Sequence, residues 1–219
     1  MPINYSPSVV TSGLVLCLDA ANVKSYPGSG TTWTDLSGNG YDATLSVESI
    51  GTTTDNVMTI SGNNISIPHD TNLNFSNTNF SVCSWAKYTT GVNYGFIKKY
   101  GNTVWSTSIT STGQMQYRLS DGVWMTTQNS TNTIDSDTWY YLVWSFDVSG
   151  NLNAYANGEL IWTRGISSVG DIGSNNTAIL YIGSSGYAGI FATTQLYDKA
   201  LSQSEITQNF NAHRSRYNI

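Results

Sequence analysis

Trp139-Tyr-Tyr-Leu-Val-Trp-Ser-Phe146-Asp-Val-Ser-Gly150-Asn-Leu-Asn-Ala-Tyr-Ala156-Asn-Gly158-Glu-Leu-Ile-Trp-Thr163 reads as three strands joined by two tight turns. The expected strands are Trp139–Phe146, Leu152–Ala156 and Leu160–Thr163. Within the first, Leu142, Trp144 and Phe146 fall on one face, because successive side chains of a strand point to opposite sides. Asn157-Gly158 is the stronger of the two turn signals: a type I′ turn needs positive φ at both central positions, which Asn and Gly tolerate best. Ser149-Gly150 marks the other turn.

The same grammar extends outward. Gln116–Leu119 and Val123–Thr126 flank a turn at Ser120-Asp121-Gly122. Phe80, Val82, Ser84 and Ala86 alternate with Ser81, Cys83, Trp85 and Lys87; Leu14, Leu16 and Leu18 alternate with Val15, Cys17 and Asp19. Val57–Ile60 and Ile65–Ile67 are shorter runs of the same kind. Strands spaced by such turns build an antiparallel two-sheet sandwich of jelly-roll type, an all-β fold. One helix interrupts the pattern. Ser202-Gln-Ser-Glu205 is a capping box, Leu201 and Ile206 occupy the staple positions, and Ile206 and Phe210 share an apolar face. His213, Arg214 and Arg216 follow at the C-terminal end, where cations favour the helix dipole, and read as a solvated tail.

Composition narrows the function classes. Of the 219 residues, 11% are charged and the net charge is −5, with nine Lys plus Arg and no basic run. Phosphate backbones demand clustered cations, so nucleic acid is not an expected partner. No apolar run reaches the length of a membrane-spanning helix, and the segment after Met1 has neither the basic nor the apolar region of a signal peptide, so synthesis in a cytoplasm is expected. The two cysteines, Cys17 and Cys83, lie in apolar strand-like runs and read as buried free thiols. No linker or internal repeat divides the chain. Residues 1–10 read as an extended arm and residues 11–219 as one domain.

Four stretches, taken in order, resemble a known family: Ser12-Gly-Leu-Val-Leu-Cys-Leu-Asp19-Ala-Ala-Asn22, Trp33-Thr-Asp35-Leu-Ser-Gly-Asn-Gly40, Leu180-Tyr-Ile-Gly-Ser184, and Gln195-Leu-Tyr-Asp-Lys-Ala-Leu-Ser202-Gln-Ser-Glu205-Ile. The chain resembles the laminin-G-like branch of the concanavalin A-like lectin/glucanase superfamily, in the form found in structural proteins of tailed phages. The resemblance implies the sandwich, and a virion subunit (capsid decoration, cement, or a fibre- or tail-associated protein) acting in an assembly with other virion proteins or copies of itself. A free-standing carbohydrate-binding lectin is the alternative. A glycoside hydrolase is the distant third.

The residues speak against the third. Retaining glycosidases need two carboxyl groups about 5 Å apart. The chain's glutamates are Glu48, Glu159 and Glu205, none with a carboxylate partner at the required strand spacing. Asp135 and Asp137 fall in a polar turn-like run, and His69 follows Pro68 in a loop. No Gly-x-Ser-x-Gly elbow occurs. The expectation is a protein without catalysis.

Two binding chemistries remain. Asp35-Leu-Ser37-Gly-Asn39-Gly40 places side-chain oxygens at alternate positions before a glycine, so Asp35 and Asn39, joined by Asp19 and Asn22, form a candidate calcium set. No EF-hand glutamate follows; the competing reading, which we favour, is turn capping. The resemblance also aligns Ala192 where many relatives carry an aspartate, which weakens an acidic site. For glycans, the resemblance puts Trp33, Trp85 and Trp139 at core-aromatic positions, and Trp144 alternates with Leu142 and Phe146 towards the core, whereas Trp105 and Trp124 lie in polar strands, and Tyr94 and Tyr187 lie beside glycines in expected rim loops. These four are the candidate glycan contacts.

Overall fold

In a computed structural model, the described residues are 8–52, 56–90, 92–99, 104–122, 125–167, 169–172, 176–183 and 187–219. Their strands are, in chain order, β1 (Leu14–Asp19), β2 (Thr32–Trp33), β3 (Ala43–Leu45), β4 (Gly51–Thr52), β5 (Val57–Ser61), β6 (Ile65–Ile67), β7 (Phe80–Thr90) and β8 (Val92–Lys99). There follow β9 (Val104–Ile109), β10 (Gln114–Ser120), β11 (Met125–Thr133), β12 (Tyr140–Phe146), β13 (Asn151–Ala156), β14 (Glu159–Gly165), β15 (Leu180–Ile182) and β16 (Ala188–Tyr197). The helix α1 (Gln203–His213) and a 3-10 turn over Arg214–Tyr217 close the chain.

The strands form two eight-stranded antiparallel sheets. One runs β14-β13-β12-β7-β16-β5-β4, with β1 also on β16; the other runs β11-β10-β9-β8-β15-β6-β3-β2. The hairpins around Ser149-Gly150 and Asn157-Gly158 form as read, and β10 pairs with β11, although Val123 and Trp124 of the expected Val123–Thr126 strand lie outside the described residues. β12 and β13 pair in unbroken register from Phe146 opposite Leu152 to Leu142 opposite Ala156, and β13 pairs with β14 from Asn151 opposite Gly165 to Ala156 opposite Glu159, with one bulge between Ala154 and Tyr155. The tight turn between β13 and β14 has φ of 53° at Asn157 and 85° at Gly158, the double-positive geometry that selected those two residues.

The main core lies between the sheets. Phe80, Val82, Ala86, Leu142, Trp144 and Phe146 meet Phe96, Ile97, Trp105 and Tyr117 there. A smaller second core lies on the outer face of the first sheet, where Cys83, Trp85, Tyr141 and Val143 are covered by Leu201, Ile206 and Phe210. β7 is therefore buried on both faces, which explains a strand whose two alternating sets are both apolar. In β1 the simple alternation fails. A bulge between Leu14 and Leu16 throws Leu14 onto the outer core, while Val15 joins Leu16 and Leu18 on the inner one.

The capping box is present in full. The Ser202 hydroxyl accepts from the Glu205 amide and the Glu205 carboxylate accepts from the Ser202 amide, while Leu201 and Ile206 are buried beside it. The basic end of the helix is solvated in part: Arg214 and Arg216 are exposed, but Arg216 is also fastened to the sheet. Arg216 grips the Asp19 carboxylate, and burial pushes the His213 imidazole down to about 4, assisted by the Arg216 charge. Val10, at the end of the segment read as an extended arm, is buried; its amide donates to the Asn209 side chain and its carbonyl accepts from the Tyr197 hydroxyl. Ser8 carbonyl accepts from Gln208. Both cysteines are free and buried, and desolvation pushes each thiol up to about 12.

Candidate functional site

The candidate residues separate sharply in space. Trp105 has no exposed surface; its ring tilts against Phe75 and Phe80, and its Nε1 donates to the Leu73 carbonyl at 3.2 Å. Tyr187 is equally buried, against Phe96 and Phe191. Neither ring can offer a face to a sugar, and both belong to the core. Trp124 lies outside the described residues, and Tyr94 sits in β8 with its side chain outside them.

The proposed calcium ligands are otherwise engaged. The Asp35 carboxylate accepts four hydrogen bonds: from the Cys17 and Ser37 amides on Oδ1, and from the Ser37 hydroxyl and Tyr41 amide on Oδ2. The Asn39 amide donates to the Val15 carbonyl. Together these bonds fasten the loop to β1, which is the work of turn residues. Asn22 caps its own turn through the Lys24 amide, and both Asp19 oxygens accept from Arg216. Among the described residues no group of three His, Cys, Asp or Glu is placed to hold a metal ion.

A different place has the makings of a binding site. On the outer face of the first sheet, β5, β16 and β7 bring Thr59, Ile190 and Lys87 side by side, since Ile190 pairs with Thr59 on one side and Lys87 on the other. α1 covers this face only in part. Beyond it, the adjoining rings of Trp139 and Tyr217 form one wall of a cleft of about 660 Å³ that Asn56 and Ala21 also line. Asn56 and Ala21 also border a second depression of about 210 Å³, lined by Tyr26, Pro27 and Gly28.

Three contacts hold the wall. Tyr217 stacks on the buried Trp85 with centroids 4.3 Å apart, and Trp139 leans on Tyr217 at 4.6 Å. Arg216, next to Tyr217, is bonded through Nη1 to both oxygens of Asp19 at 2.9 Å. Burial pushes the Tyr217 hydroxyl upward in pKa, so it remains a neutral donor at neutral pH. The Lys87 ammonium lies over the Trp139 ring, 5.1 Å from its centroid. The described residues lining the cleft include no carboxylate.

Trp139, Lys87 and Tyr217 were not among the residues singled out from sequence. The resemblance places Trp139 at a core-aromatic position, and its ring does pack against the outer core. The strand expected from Trp139 begins one residue later, after a left-handed Asp137 with φ of 54°, and Trp139 stays partly exposed beside the cleft. The polar run Asp135–Thr138 before it was the available signal.

Residues 59–207 match a laminin G family of the concanavalin A-like lectin/glucanases superfamily. The chain belongs to this family. Comparison with curated proteins gives no match. Solved structures share the fold at low identity. The binding domain of Paraclostridial Mosquitocidal Protein 1 superposes with a TM-score of 0.72 at 18% identity, over 92% of this chain and 52% of that one. The receptor binding domain of botulinum neurotoxin D gives 0.68 at 16%, over 93% and 53%. A botulinum neurotoxin type C structure, whose cell entry depends on interaction with two ganglioside molecules, gives 0.68 at 18%, over 93% and 52%. This chain thus spans about half the length of those domains.

Proposed function

We propose that the protein is a non-catalytic, lectin-like binding module that holds a saccharide in the cleft beside Trp139, and that it is carried as a structural subunit of a tailed-phage virion after synthesis in the host cytoplasm. The observation that carries the binding reading is the cleft itself: a partly exposed indole beside Tyr217, with the Asn56 amide and Thr59 hydroxyl within the same walls. Aromatic faces take the C–H surfaces of sugars, and amides and hydroxyls read their hydroxyl groups. The cleft's volume lies within the usual range for small-ligand sites. The lack of a carboxylate among its described lining residues supports binding without hydrolysis. The toxin domains of like fold support a recognition role, since they are named as binding or receptor-binding domains. The virion placement rests on the phage-like sequence pattern and the low charge content of the chain.

Two measurements test the two parts. A glycan microarray probed with the wild type and with Trp139→Ala should show hits that the variant loses while remaining folded. Hits unaffected by Trp139→Ala would move the site elsewhere. Mass spectrometry of purified particles should find the polypeptide; its presence only as free protein in lysates would leave a lectin and remove the virion role.

A further inference from the structure

The cleft carries an asymmetry of charge that bears on what it binds. The chain is acidic, with a net charge of −5 and only nine Lys plus Arg, yet two of those nine, Lys87 and Arg216, line this one cleft. Arg216 is already matched by Asp19. Lys87 has no carboxylate partner among the described residues; its neighbour is the Trp139 ring. Its place is set from below, since it stands on the sheet beside Ile190 and Thr59.

We infer that the ligand of this cleft is an acidic saccharide, whose carboxylate, sulfate or phosphate group is received by the Lys87 ammonium while a sugar ring lies against Trp139. This rests on the saccharide reading given above and narrows it. The argument is one of magnitudes. In the free protein the ammonium caps the indole face. A sugar that stacks there must push the cap aside. A cation–π contact at an exposed site is worth about 2- to 5-fold in an equilibrium. A neutral sugar would forfeit that factor. A ligand with an acid group gains a charge-assisted hydrogen bond worth about 10- to 150-fold, so the displacement is more than compensated. The same lysine therefore acts against neutral sugars and for acidic ones, which is how a site acquires discrimination. A bare anion is a poorer match. It would leave the indole, Asn56, and the adjoining depression by Tyr26 and Pro27 without contacts.

The test compares neutral and acidic members of the same glycan series on an array and then by calorimetry at about 20 and 150 mM salt. The best acidic glycan should bind at least about tenfold tighter than its neutral counterpart at low salt, with the gap shrinking at the higher salt. Lys87→Gln should erase the gap and leave the melting temperature within a few degrees; Lys87→Arg should keep most of it. Trp139→Ala should weaken both members. Neutral glycans bound as tightly as acidic ones, with Trp139→Ala still destructive, would overturn the acidic specificity and leave the saccharide site standing. An array with no ligand at all would remove the saccharide reading and this inference with it. Inorganic sulfate competing as effectively as the acidic glycan at equal concentration would show a simple anion site and refute the inference.

Discussion

Replacing Trp105 and Trp139 in turn by alanine separates a core indole from a site indole. Trp105 is fully enclosed, with Phe75 at 5.7 Å and Phe80 at 5.5 Å, and its Nε1 satisfies the Leu73 carbonyl. Truncating a buried Trp costs about 3–5 kcal/mol, and the orphaned carbonyl adds about 1 kcal/mol more. For a chain of this length each kcal/mol moves the melting temperature by about 2–4 °C, so Trp105→Ala should melt about 10 °C early or more. Trp139 is partly exposed and packs against the outer core from one side. It loses a tilted aromatic pair with Tyr217 and the Lys87 cation–π contact, together about 1–2 kcal/mol, or about 2–8 °C. Urea unfolding followed by far-ultraviolet circular dichroism avoids the changed indole fluorescence. Trp105→Phe should recover much of the ring packing while leaving Leu73 unpaired, and so fall between the wild type and the alanine variant. If Trp105→Ala cost under 1 kcal/mol, or if Trp139→Ala cost as much as Trp105→Ala, the assignment of the two rings would be wrong.

Ser202→Ala removes one half of the capping box and should cost about 0.5–2 kcal/mol in urea unfolding, whereas Ser202→Asp should restore most of it. Asn209→Ala strips partners from the Val10 amide and the buried Tyr197 hydroxyl; a loss of about 2 kcal/mol is expected, and one below 0.5 kcal/mol would show that the segment before β1 is not fastened there. His213 is pushed down to about 4 in the folded protein from an unfolded value near 6.5, so the unfolded chain binds more protons between those limits. Stability should be whole above pH 6.5 and fall by at most about 3 kcal/mol as the pH drops to 4, and His213→Gln should flatten that slope in a pH series of melts. Calcium at millimolar concentration should leave the melting temperature within about 1 °C, because Asp35 already accepts four hydrogen bonds; a site saturated 100-fold above its Kd would add about 2.7 kcal/mol and would be seen as a shift that EDTA reverses.

The sandwich was legible because its signals are local. Period-two alternation, Asn157-Gly158 and Ser202-Gln-Ser-Glu205 each act over a few residues, and each specifies its own element. What alternation cannot report is how many faces of a strand are covered. β9 reads as polar, yet Ser106, Thr107 and Ser108 are all buried along with Trp105, since β9 lies inside its sheet between β8 and β10. The Thr107 hydroxyl is satisfied by the Ile97 carbonyl, which allows a polar-looking strand to sit in the interior. Polar neighbours were therefore a false sign of exposure for Trp105. At Trp139 the packing reading covers one side of the ring only: it packs against the outer core, while its other surface lines the cleft because β12 begins one residue after it. Its partners Lys87 and Tyr217 are separated from it by 52 and 78 positions, a juxtaposition that only the β7–β12 pairing and the docked C-terminal turn create.

That docked turn accounts for why a cleft exists here at all. A sheet face left bare over β5 and β16 would be a flat surface; α1 alone covers Trp85 and Tyr141 and stops short of Thr59 and Ile190. Tyr217 extends the cover by one aromatic layer, stacked on Trp85, and ends as a vertical wall against which Trp139 leans. The position of that wall is fixed by Arg216 on Asp19, a carboxylate only 8% exposed at the end of β1. Removing the guanidinium would leave the buried carboxylate with the Ala21 amide but without its counter-charge, which is costlier than losing a surface pair. Arg216→Ala should therefore loosen Tyr217 and weaken any ligand held by Trp139, while Arg216→Lys, which keeps the charge on a compact, flexible head in place of the planar guanidinium, should recover stability better than affinity.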